Sequence, residues 1–210
     1  MILLDINISN AEIDTDLCEC TPDSEFLVVK YTCQATTVFI IGVYRPPSGN
    51  VIKFLDNFDN LLTNINKQKN NKCHILGDFN FNLYNPSTNY VSSYLDSMFS
   101  NNLFPLISRA THFKGTNPTY IDHILTNSIS DIMLSGIITC NISHHMPVFT
   151  VLSSDFDGDS QNTATNLRPI INDYTFTGFI NDLNLLLFNM IVIPVLTLRK
   201  NLQLIYLKQF

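Results

Sequence analysis

The sequence has no tryptophan, little charge and no excess of basic residues. Only 14% of its 210 residues are charged, against 45% hydrophobic, which excludes a disordered or coiled-coil architecture. The net charge of −6 has the wrong sign for a domain that holds nucleic acid by bulk electrostatics, because neutralising phosphate draws on Lys and Arg. A nucleic-acid substrate would need a local basic rim or a metal ion. Cysteine is sparse in pattern as well. Cys18, Cys20, Cys33, Cys73 and Cys140 are scattered, and Cys18 with Cys20 forms a lone C-x-C with no second pair at zinc-site spacing. They are expected to be reduced thiols of an intracellular protein. Asp5 interrupts the opening Met1-Ile-Leu-Leu too early for a secretory leader. No membrane span is expected: the apolar stretch Leu183 to Leu198 contains Asn184, Asn189 and Pro194 and falls short of the ~20 residues a bilayer requires.

What is present is an alternation of strand and helix patterns. Phe26 to Tyr31 and Thr37 to Val43 are β-rich runs, and Tyr44-Arg-Pro-Pro-Ser-Gly49 forces the chain out of the second. Asn50 is placed to cap a helix whose apolar residues Val51, Phe54, Leu55, Phe58, Leu61, Leu62 and Ile65 keep helical spacing. A strand is expected from Cys73 to Leu76 and a helix from Tyr90 to Ser100. Short strands are expected around Ile121 to Thr126, Gly136 to Ile142 and Val148 to Leu152. Beyond Leu152 the composition turns polar through Asn166, as in a linker, and Asn172 to Asn189 has the pattern of an amphipathic helix. The class these elements predict is a layered α/β domain.

The apolar run His74-Ile-Leu-Gly-Asp-Phe-Asn80 ends in an acid and an amide two residues apart. Alternation along a strand points both to one side, a pairing that suits the positioning of a water against a phosphate ester. Asp-x-Asn also occurs in ordinary turns. Three further polar clusters end or begin strands in the same way: Tyr44-Arg45, Thr119-Tyr-Ile-Asp122-His123 and Ser143-His144-His145. Each has a plain alternative, with Asp122 capping a turn, His145 on the surface and Tyr44 in the core.

In order and wording these segments resemble the endonuclease/exonuclease/phosphatase superfamily, and within it the apurinic-type endonuclease domain of non-LTR, LINE-like retrotransposons. The matching stretches are Gly42-Val-Tyr-Arg-Pro-Pro-Ser-Gly49, Leu76-Gly-Asp-Phe-Asn80, Ser108-Arg-Ala-Thr111-His112, Thr119-Tyr-Ile-Asp-His-Ile124 and Ser143-His-His-Met-Pro-Val148. The resemblance implies a four-layer α/β sandwich that cleaves DNA phosphodiesters with Mg²⁺ or Mn²⁺. By motif position Asp78 would orient or deprotonate the attacking water, with Asn80 holding it in line. Asp122 would orient His145, which contacts the scissile phosphate, and Tyr44 would support the phosphate site. Arg45, Thr119 and Ser143 would serve the substrate side, Arg45 by bracing its loop. The resemblance also implies a parent element that encodes a reverse transcriptase, and a nuclear place of action.

Two departures stand out. The family's early strands supply an Asn and a metal-binding Glu that nothing in residues 1–24 resembles, and Glu25 lacks the expected context. The expectation is an N-terminally truncated domain, with an undefined segment at 1–24, the C-terminal half of the domain at 25–153, and a linker and helical, apolar tail at 154–210. The last motif reads Ser143-His144-His145 where the family has Ser-Asp-His, so His144 occupies the place of a carboxylate that approaches the metal. Weak activity is expected. A catalytically silent retroelement remnant and a phosphoesterase acting on other phosphoesters remain as alternatives.

Overall fold

A computed structural model describes residues 11–33, 35–139, 143–153, 196–197 and 202–207. Nine-residue strands β3 (Glu25–Cys33) and β4 (Thr36–Tyr44) form an antiparallel hairpin, and β5 (Asn71–Asp78) pairs parallel to β4. The parallel pairing requires a crossover, which α1 (Val51–Asn66) provides. Asn50 caps that helix as its sequence predicts, its side chain accepting from the backbone N–H groups of Ile52 and Lys53. After α2 (Asn89–Ser100), β6 (Phe104–Pro105) and β7 (Asp122–Thr126) complete one edge of the sheet.

The other edge is closed by β1 (Ala11–Ile13) and β2 (Glu19–Cys20), both paired to β3. These two strands are too short and too acidic to show a period. Lys30 of β3 secures β1 through ion pairs to Glu12 at 3.3 Å and Asp14 at 3.0 Å. The resulting seven-stranded sheet has the order β1-β3-β4-β5-β7-β6, with β2 also on β3.

Alternation along the central strands gives the sheet two faces. Phe26, Phe39, Ile41, Val43, Ile75 and Leu125 face the helix pair, where Phe54, Phe58, Phe79, Phe81 and Tyr94 form an aromatic cluster. Ile40, Leu76 and Ile124 face a second sheet through Val148 and Leu152. That sheet contains β8 (Ile132–Ile137) and β9 (Val148–Ser153), with the backbones of β10 (Leu196–Thr197) and β11 (Leu202–Leu207) continuing it beyond β9. A helix pair, a mixed sheet and a second sheet are thus three of the expected layers.

Of the strand expected at 136–142, residues 140–142 lie outside the described residues, and the described strand runs earlier, at Ile132–Ile137. Its partner β9 begins immediately after Pro147, which has no N–H to extend the ladder, so pairing stops at Ile137 with Val148. The helix expected at 172–189 and most of the linker before it lie outside the described residues. No helix among the described residues is long and apolar enough to cross a membrane.

Candidate active site

Strand pairing assembles the site. Because β4 and β5 are parallel and β7 runs against β5, the end of β4, the end of β5 and the start of β7 meet at one rim. Tyr44 pairs with Asp78 and Asp78 with Asp122, while Glu25 pairs with Tyr44 from the other side. Paired residues on adjacent strands project to the same face, so these four stand in one row across the sheet. Gly77 makes the close β4–β5 approach possible. A Cβ at this position would lie 1.8 Å from the Val43 carbonyl oxygen, which explains glycine before Asp78.

The two carboxylates differ in setting. Asp122 is buried, its backbone N–H is held by the Thr111 hydroxyl, and its carboxylate accepts from His145 Nδ1 at 3.1 Å. That hydrogen bond is the largest cause raising the His145 pKa above its ordinary value, against the opposing effect of burial. Asp78 is buried too, and its pKa is pushed up to about 6, first by loss of solvent and then by the neighbouring Asp122 charge. The Asn80 N–H, donated to Asp78 Oδ1 at 3.0 Å, pulls the other way.

Several residues of the expected site have contacts within the protein that shape it. Arg45 is buried and its guanidinium donates to the carbonyls of Phe79 at 2.6 Å, Asn80 at 2.9 Å and Pro46 at 3.3 Å, while lying over the Phe81 ring. It braces the Asp78–Asn80 turn. Asn80 has φ of +52°, a left-handed conformation that Asn tolerates better than most residues, and its side-chain nitrogen donates to the Arg45 carbonyl. Ser143 folds the loop before His145, donating to the His145 carbonyl and accepting from its N–H. The Thr119 hydroxyl contacts His112 Nδ1 at 3.1 Å. Tyr44 is 38% exposed at the rim.

Among the described residues, Asp78, Asp122 and His145 form a group able to hold a metal ion, with one ligand atom of each within 4.8 Å of the others. The exposed His144 is not part of it. Two mutually repelling carboxylates fit a hard divalent cation, which takes one or two carboxylates and fills its remaining positions with water and phosphate oxygens. Sequence reasoning assigned no role to Thr111, His112, His123 or Glu25. Thr111 and His112 lie in a matched motif that carries no obvious chemistry. His123, next along β7, points to the opposite face from Asp122, fully buried in the aromatic cluster, stacked on Phe79 with centroids 5.0 Å apart and bonded through Nδ1 to the Tyr94 hydroxyl. Burial pushes its pKa down to about 3 and keeps it neutral.

The layered sheets and the polar rim at the strand tips define an α/β domain of the endonuclease/exonuclease/phosphatase fold. In particular, the chain shares this fold with the endonuclease domain of TRAS1, a telomere-specific non-LTR retrotransposon, at a TM-score of 0.53 and 14% identity. The alignment covers 65% of this chain and 64% of that one, so the chain spans a little under two thirds of that domain. An endonuclease/exonuclease/phosphatase family protein from Leptotrichia buccalis aligns over 59% of this chain and 52% of its own, at 15% identity and a TM-score of 0.43. D. rerio TDP2, complexed with a single-strand DNA product, aligns over 65% and 64%, at 11% identity and a TM-score of 0.42. No protein-family model matches the sequence, and no curated protein matches it.

Proposed function

We propose that the chain is a divalent-metal-dependent phosphodiesterase domain of retrotransposon type that nicks DNA, with weak activity. The observation that carries this reading is the Asp122–His145 pair set beside a buried, high-pKa Asp78 in one row of the sheet. Phosphodiester hydrolysis brings a nucleophile to an anion. Asp78, with its pKa near working pH, suits a base that takes the proton of an attacking water. Asp122 holds His145 by Nδ1, leaving Nε2 to donate to a phosphate oxygen and meet the charge that develops there. Arg45 and Asn80 fix the turn that carries Asp78. A Mg²⁺ or Mn²⁺ held by Asp78 and Asp122 would offset the repulsion between these carboxylates and the phosphate.

Weakness follows from the donor set. No other described carboxylate joins the Asp78, Asp122 and His145 group, and Glu25 stands two strands away from Asp78 in the row. The same observation favours a second reading, a catalytically silent remnant that retains the site's shape. The proposal carries with it a DNA partner, a nuclear place of action and a parent element encoding a reverse transcriptase.

Incubation of purified chain with supercoiled plasmid in Mg²⁺ or Mn²⁺ tests the reading. Slow, metal-dependent nicking that disappears in both Asp78→Ala and His145→Ala is expected. Folded protein that yields no nicks supports the silent remnant. Turnover near ~10 s⁻¹, ordinary for an enzyme, refutes the proposed weakness.

A further inference from the structure

Beside His145 stands a second imidazole that the mechanism above does not use. His112 and His145 face each other across an isolated antiparallel bridge, and their ring centroids are 4.5 Å apart. Both rings are half-buried, and both are anchored by Nδ1, His145 to the Asp122 carboxylate and His112 to the Thr119 hydroxyl. Anchoring at Nδ1 leaves Nε2 on the far edge of each ring.

We propose that His112 is a second phosphate-contacting residue, donating from Nε2 to a non-bridging oxygen of the bound phosphodiester alongside His145. The inference rests on the phosphodiesterase reading for its substrate, and the paired rings carry its geometry. Two imidazoles at this spacing can each reach a different oxygen of one tetrahedral phosphate. With the Thr119 hydroxyl as the donor to Nδ1, the tautomer this proposal requires, the ring proton sits on Nε2 and His112 acts as a donor while neutral. Burial, and then the charge of His145, lower its pKa and favour that neutral form. The arrangement also answers a local need. The site holds two carboxylates that repel phosphate, and the Arg45 guanidinium is committed to backbone carbonyls. Thr119, expected from sequence to touch the substrate backbone, acts instead by orienting the residue that does.

The test follows the imidazole nitrogens of the full-length, ¹⁵N-histidine-labelled chain by NMR during titration with inorganic phosphate. The His112 and His145 Nε2 signals are expected to move together, while those of buried His74 and His123 stay in place and report an intact fold. His112→Ala should weaken phosphate binding about tenfold, the loss of one good hydrogen bond to an anion. His112→Gln, which keeps a donor near the Nε2 position, should restore most of it. Thr119→Val should shift the His112 tautomer and weaken binding in the same direction. Movement of His145 without His112, no movement of either, or wild-type phosphate binding by His112→Ala overturns the proposal. Failure of the nuclease reading looks different: both imidazoles respond to phosphate, yet plasmid stays intact. Plasmid nicked with an unchanged KM in His112→Ala removes the role of His112 and leaves the nuclease.

Discussion

Replacing Asp78 by Asn should stabilise the domain at neutral pH while removing any activity. The Asp78 carboxyl has a folded pKa of about 6, pushed there by burial and by Asp122, against roughly 3.9 in an unfolded chain. The two-unit difference corresponds to a ceiling of about 3 kcal/mol at pH 7. Asn keeps the Oδ1 that accepts from the Asn80 N–H, so that hydrogen bond survives. His145 and Arg45 lose a nearby opposite charge, which returns part of the gain. A net stabilisation of about 1–2 kcal/mol remains, or about 3–6 °C in Tm for a domain of this size. The sign follows from the raised pKa. The carboxyl contributes fully to stability below the unfolded value, and that contribution is lost as pH rises from about 4 through about 6. Thermal melts in EDTA should therefore show Asp78→Asn equal to wild type at pH 4 and more stable above pH 6.5. A variant less stable than wild type at pH 7.5, or a difference that does not change with pH, would refute the account of Asp78 as a buried, mutually repelled carboxylate.

Other consequences follow from the same geometry. In the metal-free chain the Asp78 carboxyl should ionise through about 6, and His145 should keep its proton above the ordinary histidine range; NMR pH titration of both side chains in EDTA checks this. Gly77→Ala should leave the chain insoluble or unfolded by circular dichroism, because its Cβ meets backbone rather than a movable side chain. Phe54→Ala, which removes a fully buried ring packed on Phe26, Phe58, Phe79 and Phe81, should cost about 3–5 kcal/mol in urea denaturation. Asn50→Ala should cost about 1 kcal/mol by the same measurement, through loss of the α1 cap.

Helix α1 was legible because its apolar spacing and its cap agree, and both are local. Strand tips were legible as well, since Gly77-Asp78-Phe79-Asn80 and Thr119-Tyr-Ile-Asp122 break from apolar to polar in one step. Pairing was not. That Asp78 lies beside Asp122 depends on β7 running antiparallel to β5, a long-range choice that leaves no local pattern. The same limit hid the partners of Arg45, expected to brace its loop, and of Thr119. Their residue types suit phosphate contact, yet the partners that claim them are the carbonyls of Phe79 and Asn80, remote in sequence from Arg45, and the ring of His112, seven residues from Thr119. Strand β8 was displaced in the sequence reading because its end is set by the proline that precedes its partner.

The row of Glu25, Tyr44, Asp78 and Asp122 differs in its tolerance of substitutions and of shifts in register. Its spacing belongs to the backbone ladder, so a point substitution removes one side chain and leaves the other three in place. An insertion or deletion of a single residue within β4, β5 or β7 turns the shifted strand's side chains over and scatters the row in one event. A substitution in the row should thus be repairable by reverting one codon, whereas a frame-preserving indel inside these strands should have no repair by a single-codon substitution.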